Sequence, residues 1–162
     1  SMALGRCFVT VIGRCMGSGD KEAAKYYSSY LLRISFVFSV LWNVLLLILT
    51  PIVLAGYALS PETKSLTMII VFIHNFAFAL LCAVHSALPN GLRAAGDVKW
   101  VMWASLFSTV VCRVFFSWFF GIKLGWGVIG ITLAMVVDWS IKAMLVYLRY
   151  HSGIWLEKKV IK

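Results

Sequence analysis

The chain has 162 residues, of which 62% are hydrophobic and only 13% charged, and its mean hydropathy is +0.92. Soluble domains carry roughly 45 to 50% apolar and about 25% charged residues, so a water-soluble globular domain and a disordered chain are both excluded. The formal net charge of +9 collects in particular loops rather than along a nucleic-acid-binding face, and at roughly 20 residues per crossing the apolar mass fills four or five helices. The expected fold class is an all-α polytopic membrane protein with four full transmembrane helices and a truncated N-terminal one.

Residues 1–19 hold an apolar stretch (ALGRCFVTVIGRCM, residues 3–16) that is too short to span and carries Arg14 near its end. No small-residue cleavage site follows, so it reads as the second half of a membrane helix plus a connector, not as a signal peptide. Residues 20–30 are amphipathic, with Lys21, Glu22 and Lys25 beside Tyr26, Tyr27 and Tyr30, and are expected at the membrane interface. The first span covers about 31–57, with a kink expected at Thr50-Pro51 because proline removes an amide donor. Ser60-Pro61-Glu62 reads as N-cap, N1 proline and a helix-favouring acid. A second span over about 66–88 is expected to stop at the turn signal Pro89-Asn90-Gly91. Spans at about 99–120 and 126–150 follow, separated by the glycine-rich residues 121–127, and a basic tail occupies 151–162.

Eleven Lys or Arg residues flank one side of these spans (Arg6, Arg14, Lys21, Lys25, Arg33, Arg93, Lys99, Arg149, Lys158, Lys159, Lys162) and two, Lys64 and Lys123, the other. This bias places both chain ends in the cytoplasm. The basicity therefore reports topology, and membrane lipid rather than nucleic acid is the expected environment.

Three motifs carry a family resemblance. GRCMGSGDKEAAK (residues 13–25) resembles the segment after the eighth helix of multidrug and toxic compound extrusion (MATE) transporters. LPNGLRAAGDVKW (88–100) resembles that family's connection between helices ten and eleven, and GWGVIGITLAMVVDW (125–139) its entry to helix twelve. The resemblance implies that the chain corresponds to the end of helix eight through helix twelve of a two-lobe antiporter. It also implies an N-terminal lobe as partner, small organic substrates, no cofactor beyond a coupling proton or sodium ion, and a bacterial cytoplasmic membrane. Cys82 stands roughly where some branches carry an acid in helix ten; the buried Arg and Asp-Trp of another branch are matched by Arg113, Asp138 and Trp139.

Away from the ends of the spans the charged residues are Arg113, Asp138 and Lys142, each costing about 2.5 to 3.5 kcal/mol at a helix centre. Asp138 and Lys142 are one turn apart, and Arg113 lies in a stripe with Ser105, Thr109 and Ser117. Comparable depth predicts a direct Asp138–Arg113 contact. Asp138 then reads either as the site that binds the coupling ion or as half of a structural ion pair. His74 and His85 return to one helical face after three turns; they read as a proton relay or as donors to neighbouring carbonyls, and at about 16 Å along the axis they are too far apart for one metal. Asn43, with Ser35, Ser39 and Thr50, lines a cavity or bonds a neighbouring helix.

Gly125-Trp126-Gly127-Val128-Ile129-Gly130 fits G-x-G-x-x-G, but no strand precedes it and it opens a span, so helix packing accounts for its glycines. Cys7, Cys15, Cys82 and Cys112 have no ligand or redox spacing. No catalytic or metal cluster is evident, so an enzyme is not expected. The alternative to an antiporter lobe is a self-contained four-helix transporter working as a homodimer; such small exporters usually carry an acid in the first span, and 31–57 has none.

Overall fold

A computed structural model describes residues 2–58 and 60–158; Lys159 and Lys162 of the expected basic tail lie outside the described residues. The helices are α1 (Met2–Gly17), α2 (Lys21–Ala55), α3 (Pro61–Ala94), α4 (Val98–Lys123) and α5 (Gly127–His151), followed by a short 3-10 turn at Ile154–Glu157. No strand occurs among the described residues. Helices α2 to α5 are each long and apolar enough to cross a bilayer. The chain is an all-α polytopic membrane protein.

The amphipathic segment and the first span form one helix. Asp20 caps it, its carboxylate accepting from the Ala23 amide at 2.9 Å, and the helix runs 35 residues. At 1.5 Å per residue that is about 50 Å, against about 30 Å of hydrocarbon, so the tyrosine-rich turns project beyond the core of the bilayer. Pro51 does not end the helix, which continues to Ala55. The buried face of α2 is polar and small (Ala24, Ser28, Ser35, Ser39, Asn43), while Phe36, Leu41, Leu45 and Ile48 are exposed. Such inside-out amphipathicity suits lipid, which solvates the large apolar side chains and offers nothing to the hydroxyls.

Ser60 caps α3, accepting from the Thr63 amide at 3.2 Å, with Pro61 as its first residue. The turn expected at Pro89-Asn90-Gly91 is instead helix. A π-turn at Ala83–Ala87 precedes it, in which the Leu88 amide reaches back five residues to the Ala83 carbonyl. A proline ring ordinarily clashes with the carbonyl four residues earlier, and the wider turn accommodates it. The chain reverses only after Ala94, through Gly96 at φ +94°. The second span is thereby extended, and its last turns, with Leu88, Gly91 and Leu92 buried, pack on Phe8 and Ile12 of α1.

Helix α4 contains π-turns at Phe107–Cys112 and Phe119–Lys123. Helix α5 begins against its end, where a Cβ on Gly130 would lie 2.6 Å from the Phe120 carbonyl oxygen. That contact explains the last glycine of the G-x-G-x-x-G string as a close backbone approach. The fully buried apolar core (Phe8, Ile12, Leu88, Leu92, Val101, Val146, Trp155) gathers at the end of the bundle where α1, α3 and α5 finish and α2 and α4 begin.

Because α4 crosses the whole bundle, single cysteines replacing Lys99 and Lys123 in a cysteine-free background should react with impermeant maleimide from opposite faces of the membrane. Reaction of both from one face would contradict the crossing order.

Candidate ion and substrate site

Helix α5 packs on both α3 and α4, and two adjacent residues face the two neighbours. Asp138 points to α4 and is 2% exposed. The Ser108 hydroxyl reaches two acceptors of Asp138, the backbone carbonyl at 2.9 Å and the carboxylate Oδ1, which share its single proton. One serine thus meets both the side chain and the main chain of the buried acid.

The expected Asp138–Arg113 contact is not formed. Among the described residues Asp138 makes no ion pair with Arg113 or Lys142, both of which are half-buried. The cause is rotational. The buried face of α4 is Val101, Ala104, Ser108 and Cys112, one residue earlier than the Ser105, Thr109, Arg113, Ser117 stripe, and one residue on a helix is about 100°. Depth was compatible with a pair; azimuth was not.

Trp139 points to α3, where its ring centroid lies 5.0 Å from His74 and 5.2 Å from His85. His85 stacks on the indole at an interplanar angle of 19°, and His74 meets it edge-on at 76°. Phe78 completes the cluster, 5.5 Å from Trp139 and 5.6 Å from His85. The two histidines, eleven residues apart, therefore converge on one indole. His85 sits in the π-turn, and its Nε2 is buried without a hydrogen-bond partner. Among the described residues no three His, Cys, Asp or Glu side chains are grouped as metal ligands.

Asn43 lies on the far side of Phe78. A cavity of about 330 Å³ between α1, α2 and α3 is lined by Phe38, Ser39, Trp42, Asn43, Phe78 and Cys82 with two residues of α1. The Asn43 carboxamide is held from within its own helix, Nδ2 donating to the Ser39 carbonyl at 2.7 Å. His74 and His85 do not line this cavity; they stand behind it on Phe78.

A second polar assembly, not expected from the sequence, closes the basic end. Arg149 Nε donates to Asp97 Oδ2 at 2.6 Å and its terminal nitrogen to Oδ1 at 3.2 Å, while the guanidinium lies 5.4 Å from the Trp100 ring centroid. The fork holds the end of α5 to the start of α4. Its sequence signal was Asp97, the single carboxylate in the connection between α3 and α4. Asp97→Asn should destabilise the chain by about 1.5 to 3 kcal/mol, because the half-buried Arg149 guanidinium loses its charged hydrogen-bond partner, whereas replacing both partners by apolar residues should cost much less. Reversible unfolding followed by circular dichroism in detergent checks this; a single substitution within about 1 kcal/mol of the native chain would contradict it.

A family model described as MatE matches residues 1–119. Over 153 residues the chain is 28% identical to an uncharacterized transporter, YisQ, of Bacillus subtilis (strain 168), covering 91% of this chain. It spans only 32% of that relative's length. No solved structure matches. With the family model matching well over half of its length, the chain belongs to the MatE family.

Proposed function

We propose that the chain supplies one lobe of an antiporter that exports amphiphilic or cationic organic compounds across a bacterial cytoplasmic membrane in exchange for protons or sodium ions. The observation that carries this reading is the cavity beside Asn43. Its faces of Phe38, Trp42 and Phe78 and the carboxamide of Asn43 combine the aromatic and polar contacts that recognise an organic cation. A volume of about 330 Å³ is at the small end of ligand pockets, as fits a cavity shared with a second lobe.

Asp138 is the ion-coupling residue in this reading, since carboxylates within spans mark ion pathways. Its bond to Ser108 gives the coupling a mechanical form. An ion or proton taken up at the carboxylate competes with the serine hydroxyl, and occupancy is thereby linked to how α4 sits on α5. Arg113 and Lys142 then act as half-buried positive charges at longer range, not as direct partners. The concentration of Lys and Arg at the end holding Lys21, Lys99 and Arg149 supports placing that end, and both termini, in the cytoplasm.

Tetraphenylphosphonium should bind the detergent-solubilised chain, and Trp42→Ala or Asn43→Ala should each weaken binding about five- to tenfold. Undiminished binding by both variants would contradict the assignment of the cavity. In proteoliposomes the 162-residue chain should not export ethidium under an imposed proton or sodium gradient. Gradient-driven export by the chain alone would overturn the lobe reading in favour of a self-contained homodimer.

A further inference from the structure

A separate crevice lies at the basic end, between the first turns of α2, the last turn of α5 and the 3-10 turn that follows. It holds about 220 Å³ and is lined by Lys25, Ser29, Tyr150, His151, Trp155 and Leu156, with Gly153 at the bend. No carboxylate lines it among the described residues. Helix ends far apart in the sequence thus bring an ammonium and an imidazole to one recess.

The hydroxyls in its wall are committed to one another. The Ser28 hydroxyl donates to the Lys25 carbonyl at 2.9 Å, so it accepts from the Tyr150 hydroxyl, also at 2.9 Å. Tyr150, its one proton spent, accepts from Ser29 at 2.9 Å. Trp155 Nε1 donates to the Tyr150 carbonyl at 3.0 Å, and its ring stacks on Tyr150 at 5.6 Å. The wall is therefore rigid and contributes no free hydroxyl proton. Recognition of a ligand falls to the charge of Lys25 and an imidazole N–H of His151, and both favour an anion.

The surroundings are those of a membrane interface. Tyr26 and Tyr30, next to Lys25 and Ser29 in sequence, and Tyr147, 6.2 Å from His151, are exposed, and Tyr26 and Tyr30 stack on each other at 6.5 Å. Below them the outer faces of α2 and α5 present Phe36, Val37, Met144 and Leu148 to lipid. An anion held here has apolar surface beside it on the membrane side.

We infer that this crevice binds the phosphate of an anionic phospholipid headgroup, with Lys25 and His151 on the phosphate and the acyl chains along the exposed faces of α2 and α5. Basic pockets between membrane helices recognise phosphate headgroups in this way. Bound lipid would tie α2 to α5 at the point where the Tyr150 hydroxyl network already joins them.

The test uses the whole chain purified in detergent. Phosphatidylglycerol and phosphatidylcholine are supplied at equal amounts, and retained lipid is read by native mass spectrometry. The native chain should retain phosphatidylglycerol in preference to phosphatidylcholine. Lys25→Gln should lower that preference roughly fivefold, His151→Gln should lower it further, and Lys25→Arg should preserve it. Lys123→Gln, at the other end of the bundle, should leave it unchanged. Equal selectivity in the Lys25→Gln, His151→Gln double variant, or loss of selectivity in Lys25→Arg, would overturn the proposal. Glycerol phosphate, the soluble headgroup alone, separates the two sources of phosphate. If it competes at the same concentration as the lipid, the ligand is a soluble anion and the lipid assignment is wrong.

Discussion

Asp138 is a carboxylate 2% exposed in the middle of a membrane helix, in a solvent that offers neither hydrogen bonds nor counter-ions, and the bundle has to supply what lipid cannot. It does so with a hydroxyl rather than a cation. Ser108 reaches both the carboxylate and the carbonyl of the same residue, which fixes the rotation of α4 as well as its depth. Trp139, the next residue, is thereby turned to α3, where it collects His74, Phe78 and His85. The position of one acid thus settles which faces of three helices meet.

The same constraint explains why the candidate site was only partly legible. Charge, hydropathy and turn chemistry located the spans, and three short motifs were enough for the family. The inward face of α4 is not the one that its hydroxyl stripe marks: Ser108 meets α5, while Ser105, Thr109 and Ser117 lie one residue round the helix. In a membrane helix a serine or threonine can satisfy itself on the carbonyl four residues back, as Thr50, Thr67, Thr132 and Ser140 do. A hydroxyl satisfied in this way does not require a place on the bundle-facing side, as the exposed Ser140 shows. Ala104 and Cys112, small and apolar, were the better markers of a face that lets helices approach.

The turn at Pro89 failed for a related reason. Pro89-Asn90-Gly91 is a strong turn signal in water, where a broken helix finds solvent for its carbonyls. Within a bundle the cheaper solution is the π-turn at Ala83–Ala87, which keeps the backbone bonded and moves the reversal to the Gly96 bend. The fork between Asp97 and Arg149 joins residues 52 positions apart, and nothing local in the sequence pairs them. Its consequence is structural: the basic end holds the packed apolar core, while the aromatic cavity beside Asn43 lies farther along α2 and α3, beside exposed apolar helix faces.

The claim on which the account rests is that Asp138 is held by Ser108 and not by Arg113. Two double-mutant cycles, measured by reversible unfolding in detergent, test it directly: Asp138→Ala with Ser108→Ala, and Asp138→Ala with Arg113→Ala. The account predicts a coupling of about 1 to 3 kcal/mol in the first cycle and additivity within about 0.5 kcal/mol in the second. A larger coupling to Arg113 than to Ser108 would contradict it.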